Sequence, residues 1–126
     1  MLGRHIRLEA WLNAQDQALA AARNMCNEVK PYNKVPWMWT DQFNVNLQIA
    51  GAPVKWDRLR IRGDISKRDF IAFQFENSLI KAALSVNRQR DMRVARRMIS
   101  AQAKFLEAEV ENEKISLRNL LKRAKD

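Results

Sequence analysis

What the chain has little of narrows it first. With three glycines in 126 residues, it has no GxGxxG turn and no P-loop, so it cannot cradle a dinucleotide pyrophosphate in the usual way. One cysteine, Cys26, excludes an internal disulfide framework and a CxxC metal knuckle. Cys26 falls near a predicted helix end and reads as a small buried hydrophobe. One histidine, His5, lies near the N-terminus with no Ser or Cys partner at a recognisable spacing, so a nucleophilic triad is not expected. It reads as a surface or lead-in residue. No metal site is expected, since ligands at paired spacing are missing. No apolar run approaches the roughly 20 residues of a membrane span, and Arg4, His5, Arg7 and Glu9 interrupt any signal-peptide core. The expectation is a soluble, cytoplasmic protein with no membrane partner.

What is present suits one globular domain. Hydrophobic residues make up 47% and charged residues 29%, enough apolar surface to bury a core. The net charge is +9 and uneven: residues 1–50 carry +1 and residues 51–126 carry +8. A negatively charged partner is therefore expected. Arg58, Arg60, Arg62, Arg90, Arg93 and Arg97 are the candidate contacts. Nucleic acid is disfavoured as that partner because no recognition motif accompanies the basic residues.

Periodicity orders the elements. Residues 13–25 read as a helix, with Asn13 as N-cap and Asp16 three residues on. Trp11, Ala14, Ala18, Ala21 and Met25 form a small-residue stripe. Residues 27–42 read as an irregular connection because Pro31 and Pro36 restrict their neighbours. Alternation then predicts strands over 43–50, with Phe43, Val45, Leu47 and Ile49 on one side, and over 57–62. Gly51, Ala52 and Pro53 end the first, and Gly63-Asp64 turns the second. Further strands are expected over 69–75 and 79–86, joined by Glu76-Asn77-Ser78. A helix over 89–101 turns Met92, Ala95, Met98 and Ile99 inward and Arg90, Arg93 and Arg97 outward. Residues 107–114, with Glu107, Glu109, Glu111 and Glu113, read as a solvated connector. Ser116 caps a last short helix with Leu117, Leu120 and Leu121 inward. The predicted class is α+β: an antiparallel β-meander of about four to five strands packed with two to three helices.

Pro36-Trp37-Met38-Trp39-Thr40-Asp41-Gln42 requires its own account. Tryptophan offers a large apolar face and an N–H that needs a partner when buried. The rings either plug an edge of the core or face a planar ligand. On an extended segment Trp37 and Trp39 are expected to point to opposite sides, one buried and the other presented.

This segment resembles P-W-[FYM]-W-[ST]-D-Q of the bacterial FAD-dependent ferredoxin reductase family, rubredoxin and putidaredoxin reductases among them. Its neighbours match in order. Arg7-Leu8-Glu9-Ala10-Trp11-Leu12-Asn13-Ala14-Gln15-Asp16-Gln17 is similar to R-[LI]-E-S-x-x-N-A-x-x-Q. Leu47-Gln48-Ile49-Ala50-Gly51, Arg62-Gly63-Asp64, and Val86-Asn87-Arg88 with Asp91 follow at family spacing, as do Arg96-Arg97, Ile99 and the tail from Ser116. Ala10 stands for a usual serine, and Glu76-Asn77-Ser78 lacks a usual glycine.

The resemblance implies a C-terminal reductase domain, residues 27–126, preceded by residues 1–26 from the end of an FAD domain. It implies FAD and NAD(P)H in the whole enzyme. Trp37 and Trp39 would line the flavin/nicotinamide face, Asp41 and Gln42 would hold that loop, and Glu9 and Asn13 would lie where the FAD domain's closing helix begins. The implied partner is an acidic ferredoxin-type iron–sulfur protein. No acid, base or nucleophile is implied, because the cofactor carries the chemistry. Without phosphate-binding loops, these 126 residues are expected to hold no cofactor and to be inactive alone. The alternative expectation is a truncated, non-catalytic interaction or dimerisation module. Either way, the uncovered stripe is expected to favour a homo-oligomer.

Overall fold

The computed structural model describes residues 6–52 and 55–124. The expectations for His5 and for Pro53 lie outside the described residues. The elements are α1 (Trp11–Met25), β1 (Trp37–Gln42), β2 (Val45–Gly51), β3 (Arg58–Asp64), β4 (Asp69–Glu76), β5 (Leu79–Val86), α2 (Gln89–Ala101), α3 (Glu107–Glu111) and α4 (Leu117–Arg123). The strands form one five-stranded sheet in the order β1-β2-β5-β4-β3, and every pairing is antiparallel. The α+β class is as the alternation predicted. The sheet departs from a continuous meander at one place: β2 pairs with β5, so the chain crosses to the far edge between β2 and β3.

The first strand lies where an irregular connection was expected. Pro36 ends the restricted stretch, and Trp37–Gln42 pairs with Val45–Ala50 across a two-residue turn. Phe43 is therefore the hairpin tip and not the head of a strand. It is fully exposed and takes φ 55°. Gly63-Asp64 likewise ends β3 instead of turning. The turn follows, with the Asp64 carboxylate accepting from the Ser66 backbone N–H at 2.9 Å and the Ser66 hydroxyl at 2.6 Å. Gly63 has φ 102°, and a Cβ there would lie 2.4 Å from the Asp69 carbonyl oxygen. Asn77 and Ser78, at φ 52° and 65°, make the β4–β5 turn without glycine. Two consecutive left-handed residues match the twist of a hairpin.

Register assigns the faces. Trp37 pairs with Ala50, Ala50 with Ala83, Ala83 with Phe73, and Phe73 with Arg60. The next row on that face is Trp39, Gln48, Ser85, Ile71 and Arg62. Helix α2 covers this face with Met92, Ala95, Met98 and Ile99, all buried, and Leu117, Leu120 and Leu121 of α4 complete the core.

Two side chains pin the C-terminal end. Arg62 is 6% exposed and donates to the carbonyls of Val110, Asn112, Glu113 and Ile115 at 3.2, 2.6, 3.3 and 2.9 Å. Arg88 bonds both Asp69 oxygens, at 2.9 and 3.0 Å, and Glu113 at 2.6 Å. The Asp69 hydrogen bond raises the Arg88 pKa and, in return, lowers that of Asp69.

The segment 107–114 is not simply a solvated connector. It contains α3, whose Val110 is completely buried. Glu107 accepts from Arg60 at 3.0 Å and lies 3.6 Å from Arg58. At the other end of the chain, Ala10 is the N-cap of α1 and Asn13 is inside the helix. Asn13 donates from Nδ2 to the Leu8 carbonyl at 3.0 Å, so it fastens the lead-in and does not cap the helix. Cys26 is exposed, unlike the buried hydrophobe that its surroundings suggested.

Candidate functional site at the β1 edge

Strand β1 is an edge strand, paired on one side by β2. Side chains two apart on a strand share a face. Trp37 and Trp39 therefore point the same way, against the expectation that they diverge. Their ring centroids are 4.8 Å apart with an interplanar angle of 28°, a stacked pair. Trp37 is half-buried and packs on the core. Trp39 sits outside it and is 42% exposed.

The inner ring is held on two sides. Its Nε1–H donates to Gln48 Oε1 at 3.1 Å. Gln48, itself buried, donates to Asn46 Oδ1 at 2.9 Å, and Asn46 donates to Asp41 Oδ1 at 2.6 Å. The backbone N–H of Asn46 is in turn bound by Asn87 Oδ1 at 2.8 Å. This chain of amides fixes the tilt of the indole and ties the end of β1 to β2. Gln42 bonds only locally, to Thr40 Oγ1 at 3.1 Å.

Above the ring, the Arg96 guanidinium lies 3.9 Å from the Trp37 centroid. Burial lowers the Arg96 pKa, and Asp16 partly restores it. Arg96, Trp37 and Trp39 thus form a run of three flat groups from α2 outward. Arg96 was not among the candidate residues. The signal was its position beside the inward stripe of α2, one residue after Ala95 and two before Met98.

Three hollows surround the pair. One of about 310 Å³ is lined by Glu9, Asn13, Trp37, Met38 and Ile49 among others. A second, about 200 Å³, lies between Glu9, Trp11, Trp37, Met38 and Trp39. A third, about 380 Å³, opens between α1 and α2. The fold therefore gathers Glu9, Asn13, Trp37 and Trp39 at one edge. Glu9 is exposed there and pairs with Arg7 at 2.7 Å. Asp41 and Gln42 stand at the hairpin end of the same strand.

The six arginines expected to meet a partner separate. Arg90, Arg93 and Arg97 are exposed on α2. Arg58 and Arg60 lie on the opposite edge strand and share Glu107. Arg62 departs from the expectation altogether: it is buried, and its guanidinium is occupied by backbone carbonyls.

The hollows fit one part of a flavin or nicotinamide and not another. Flat, half-open aromatic walls suit a planar ring. A pyrophosphate needs a glycine-rich turn at a helix N-terminus. Gly51 and Gly63 both lie in strands, and a Cβ at Gly51 would sit 2.2 Å from the Lys81 carbonyl oxygen. Among the described residues, no His, Cys, Asp or Glu cluster suits a metal ion, and no helix is long and apolar enough to cross a membrane.

Comparison with known proteins agrees with the geometry. The Reductase C-terminal family matches residues 37–121. The ferredoxin–NAD(+) reductase component of the anthranilate 1,2-dioxygenase system of Burkholderia cepacia is 38% identical over 104 residues, covering 82% of this chain and 26% of that protein. Putidaredoxin reductase of Pseudomonas putida is 27% identical over 122 residues, covering 97% of this chain and 29% of that protein. Among solved structures, the covalent putidaredoxin reductase–putidaredoxin complex superposes with a TM-score of 0.91 at 27% identity, over 97% of this chain and 29% of that one. A ferredoxin reductase from Rhodopseudomonas palustris gives 0.86 at 31% identity, over 97% of this chain and 30% of that one. The chain spans less than a third of the length of each. The matched segment begins at Trp37 itself, and the chain belongs to the family of ferredoxin reductase C-terminal domains.

Proposed function

We propose that this chain is the C-terminal part of an FAD- and NAD(P)H-dependent ferredoxin reductase, in which the Trp37–Trp39 pair forms one wall of the flavin/nicotinamide site. Residues 1–26 then belong to the end of the FAD domain, and residues 27–126 form the C-terminal domain. The observation that carries this reading is the exposed, stacked ring of Trp39 on an edge strand inside the family-matched segment. The emptiness of the α1 core side supports the boundary: α1 has no buried residue. The flavin, when bound, supplies hydride acceptance and single-electron transfer. The chain's own residues orient and shield. Trp37 is locked by Gln48 and Arg96, Trp39 leans on it, and Glu9 and Asn13 close the adjoining hollow. Asp41 holds the strand end through Asn46, and Gln42 lies beside it.

The partner is an acidic ferredoxin-type iron–sulfur protein, met by Arg90, Arg93 and Arg97. The names of the relatives, and the putidaredoxin held in the covalent complex, support that class of partner. Arg58 and Arg60 are secondary contacts in this reading, being four strands away from Trp39. The test is a chimera of the Burkholderia cepacia reductase carrying this chain in place of its own matched portion. It should bind flavin and reduce a ferredoxin with NADH. Trp39→Ala in the chimera should slow acceptor reduction while flavin content holds; an unchanged rate would contradict the flavin-wall assignment.

A second reading is favoured by one further observation. Trp11, Leu19, Met25 and Val29 are exposed by 71, 54, 85 and 81%. Such apolar groups are usually covered by a partner surface when clustered. The isolated chain is then a homo-oligomer without catalytic activity, and light scattering at high micromolar concentration should exceed the monomer mass. A strict monomer would remove that reading and leave the first intact.

A further inference from the structure

A hollow of about 380 Å³ lies between α1, the 32–36 segment and α2. Its charged lining is one-sided. Four cationic side chains reach it, Lys34, Arg93, Arg96 and Arg97, and one carboxylate, Asp16. Asp16 is already held by Lys34. Among the described residues, no carboxylate forms an ion pair with Arg93, Arg96 or Arg97. Arg23, Arg68, Arg90 and Arg118 likewise form no ion pair among the described residues; what sets Arg93, Arg96 and Arg97 apart is that they line one hollow together.

Arg96 makes the cluster more than a solvated face. Its guanidinium lies over the Trp37 ring, 3.9 Å from the centroid, and is partly removed from water, which lowers its pKa, with Asp16 offsetting only part of that. Removing a charge from water costs free energy unless an opposite charge replaces the lost hydration. Among the described residues no side-chain hydrogen bond occupies the Arg96 guanidinium, and a guanidinium with free N–H donors grips an oxyanion through paired hydrogen bonds. Trp37 is already engaged by both Trp39 and Arg96, so the indole offers no free platform for stacking a base in this hollow. Tyr32 adds a hydroxyl at the rim, donating to Asn13 Oδ1 at 3.2 Å. The volume falls in the range of small-molecule sites, about 300–1,000 Å³.

We infer that the hollow between α1 and α2 is a binding site for a small multivalent oxyanion of the phosphate class, held by Arg93, Arg96 and Arg97. It is separate from the ring-facing wall at Trp39, and it does not depend on the reductase reading. An anion seated there would neutralise two of the arginines assigned to partner docking.

The chain as it stands can be tested. Inorganic pyrophosphate is titrated at constant ionic strength, with tryptophan fluorescence and calorimetry as readouts. The expected result is saturable binding to one site. Arg93→Gln, at an exposed position, should weaken it by about tenfold, as loss of one charge-assisted pair implies. Arg96→Gln should weaken it at least as much, with far-UV circular dichroism confirming the fold. Arg118→Gln on α4, outside the hollow, should bind like the parent. A nucleoside diphosphate is the second ligand. Tighter binding than pyrophosphate assigns the site to the phosphoryl end of an organic phosphate, and equal binding assigns it to the inorganic ion; both sustain the site. A non-saturating response reproduced by sodium chloride overturns the proposal. So does saturation that survives both Arg93→Gln and Arg96→Gln unchanged.

Discussion

The two long helices are held in opposite ways. Helix α2 buries five residues, Met92, Val94, Ala95, Met98 and Ile99, against the sheet. Helix α1 is two residues longer and buries none. An isolated helix of that length is marginal in water, so α1 depends on a few anchors. These are the Asn13–Leu8 bond, the Tyr32–Asn13 bond and the Lys34–Asp16 ion pair. The contrast shows where the molecule is finished and where it is open. The α2 side is a closed core. The α1 and β1 side presents alanines, exposed apolar residues and an exposed tryptophan, the profile of a surface completed by something else.

The contrast can be broken most forcefully on the closed side. Arg62→Ala leaves four carbonyls without their donor and should cost about 3 kcal/mol, because buried groups that lose their partners bear the full desolvation penalty. Arg62→Lys should not restore it, since an ammonium lacks the planar fork. Thermal melts of the three proteins would decide; a melt of Arg62→Ala within a degree or two of the parent would show that the 110–115 segment is not pinned there.

The tryptophan pair straddles the two regimes and sharpens the comparison. Trp37→Ala removes a half-buried ring, its bond to Gln48 and its contact with Arg96, and should cost about 2 kcal/mol, less than a fully buried tryptophan. Trp39→Ala removes an outer ring and should cost less than about 1 kcal/mol. Denaturant titration measures both. A larger loss at Trp39 would mean that the outer ring, not the inner, is the structural one.

Much of the closed side was legible in the residues. The apolar stripe of α2, the inward leucines of α4 and the strands over 69–75 and 79–86 lie where the sequence placed them, whereas in β3 the arginine side, Arg60 and Arg62, faces the core and Leu59 is exposed. Two kinds of information were not local. The first is strand order: nothing in 43–64 marks the crossing that sets β2 beside β5, because pairing partners are chosen by packing of the whole sheet. The second is partner choice by polar side chains. Arg62 reads like its neighbours Arg58 and Arg60 in sequence, and only the folded segment 110–115 turns it into a buried clamp. At the site, the family resemblance located the tryptophans, but a proline-restrained loop was expected where β1 stands. The two-residue period of that strand then reversed the expected divergence of the rings.

The most direct test of an open α1/β1 side is native-state hydrogen exchange, read residue by residue in the isolated chain. Amides of α2 should exchange only through global unfolding, and those of α1 through local opening at a much smaller free energy. In a chimeric reductase, α1 protection should rise toward that of α2. If α1 in the isolated, monomeric chain is already as protected as α2, the surface is not open and the account of this half of the molecule is wrong.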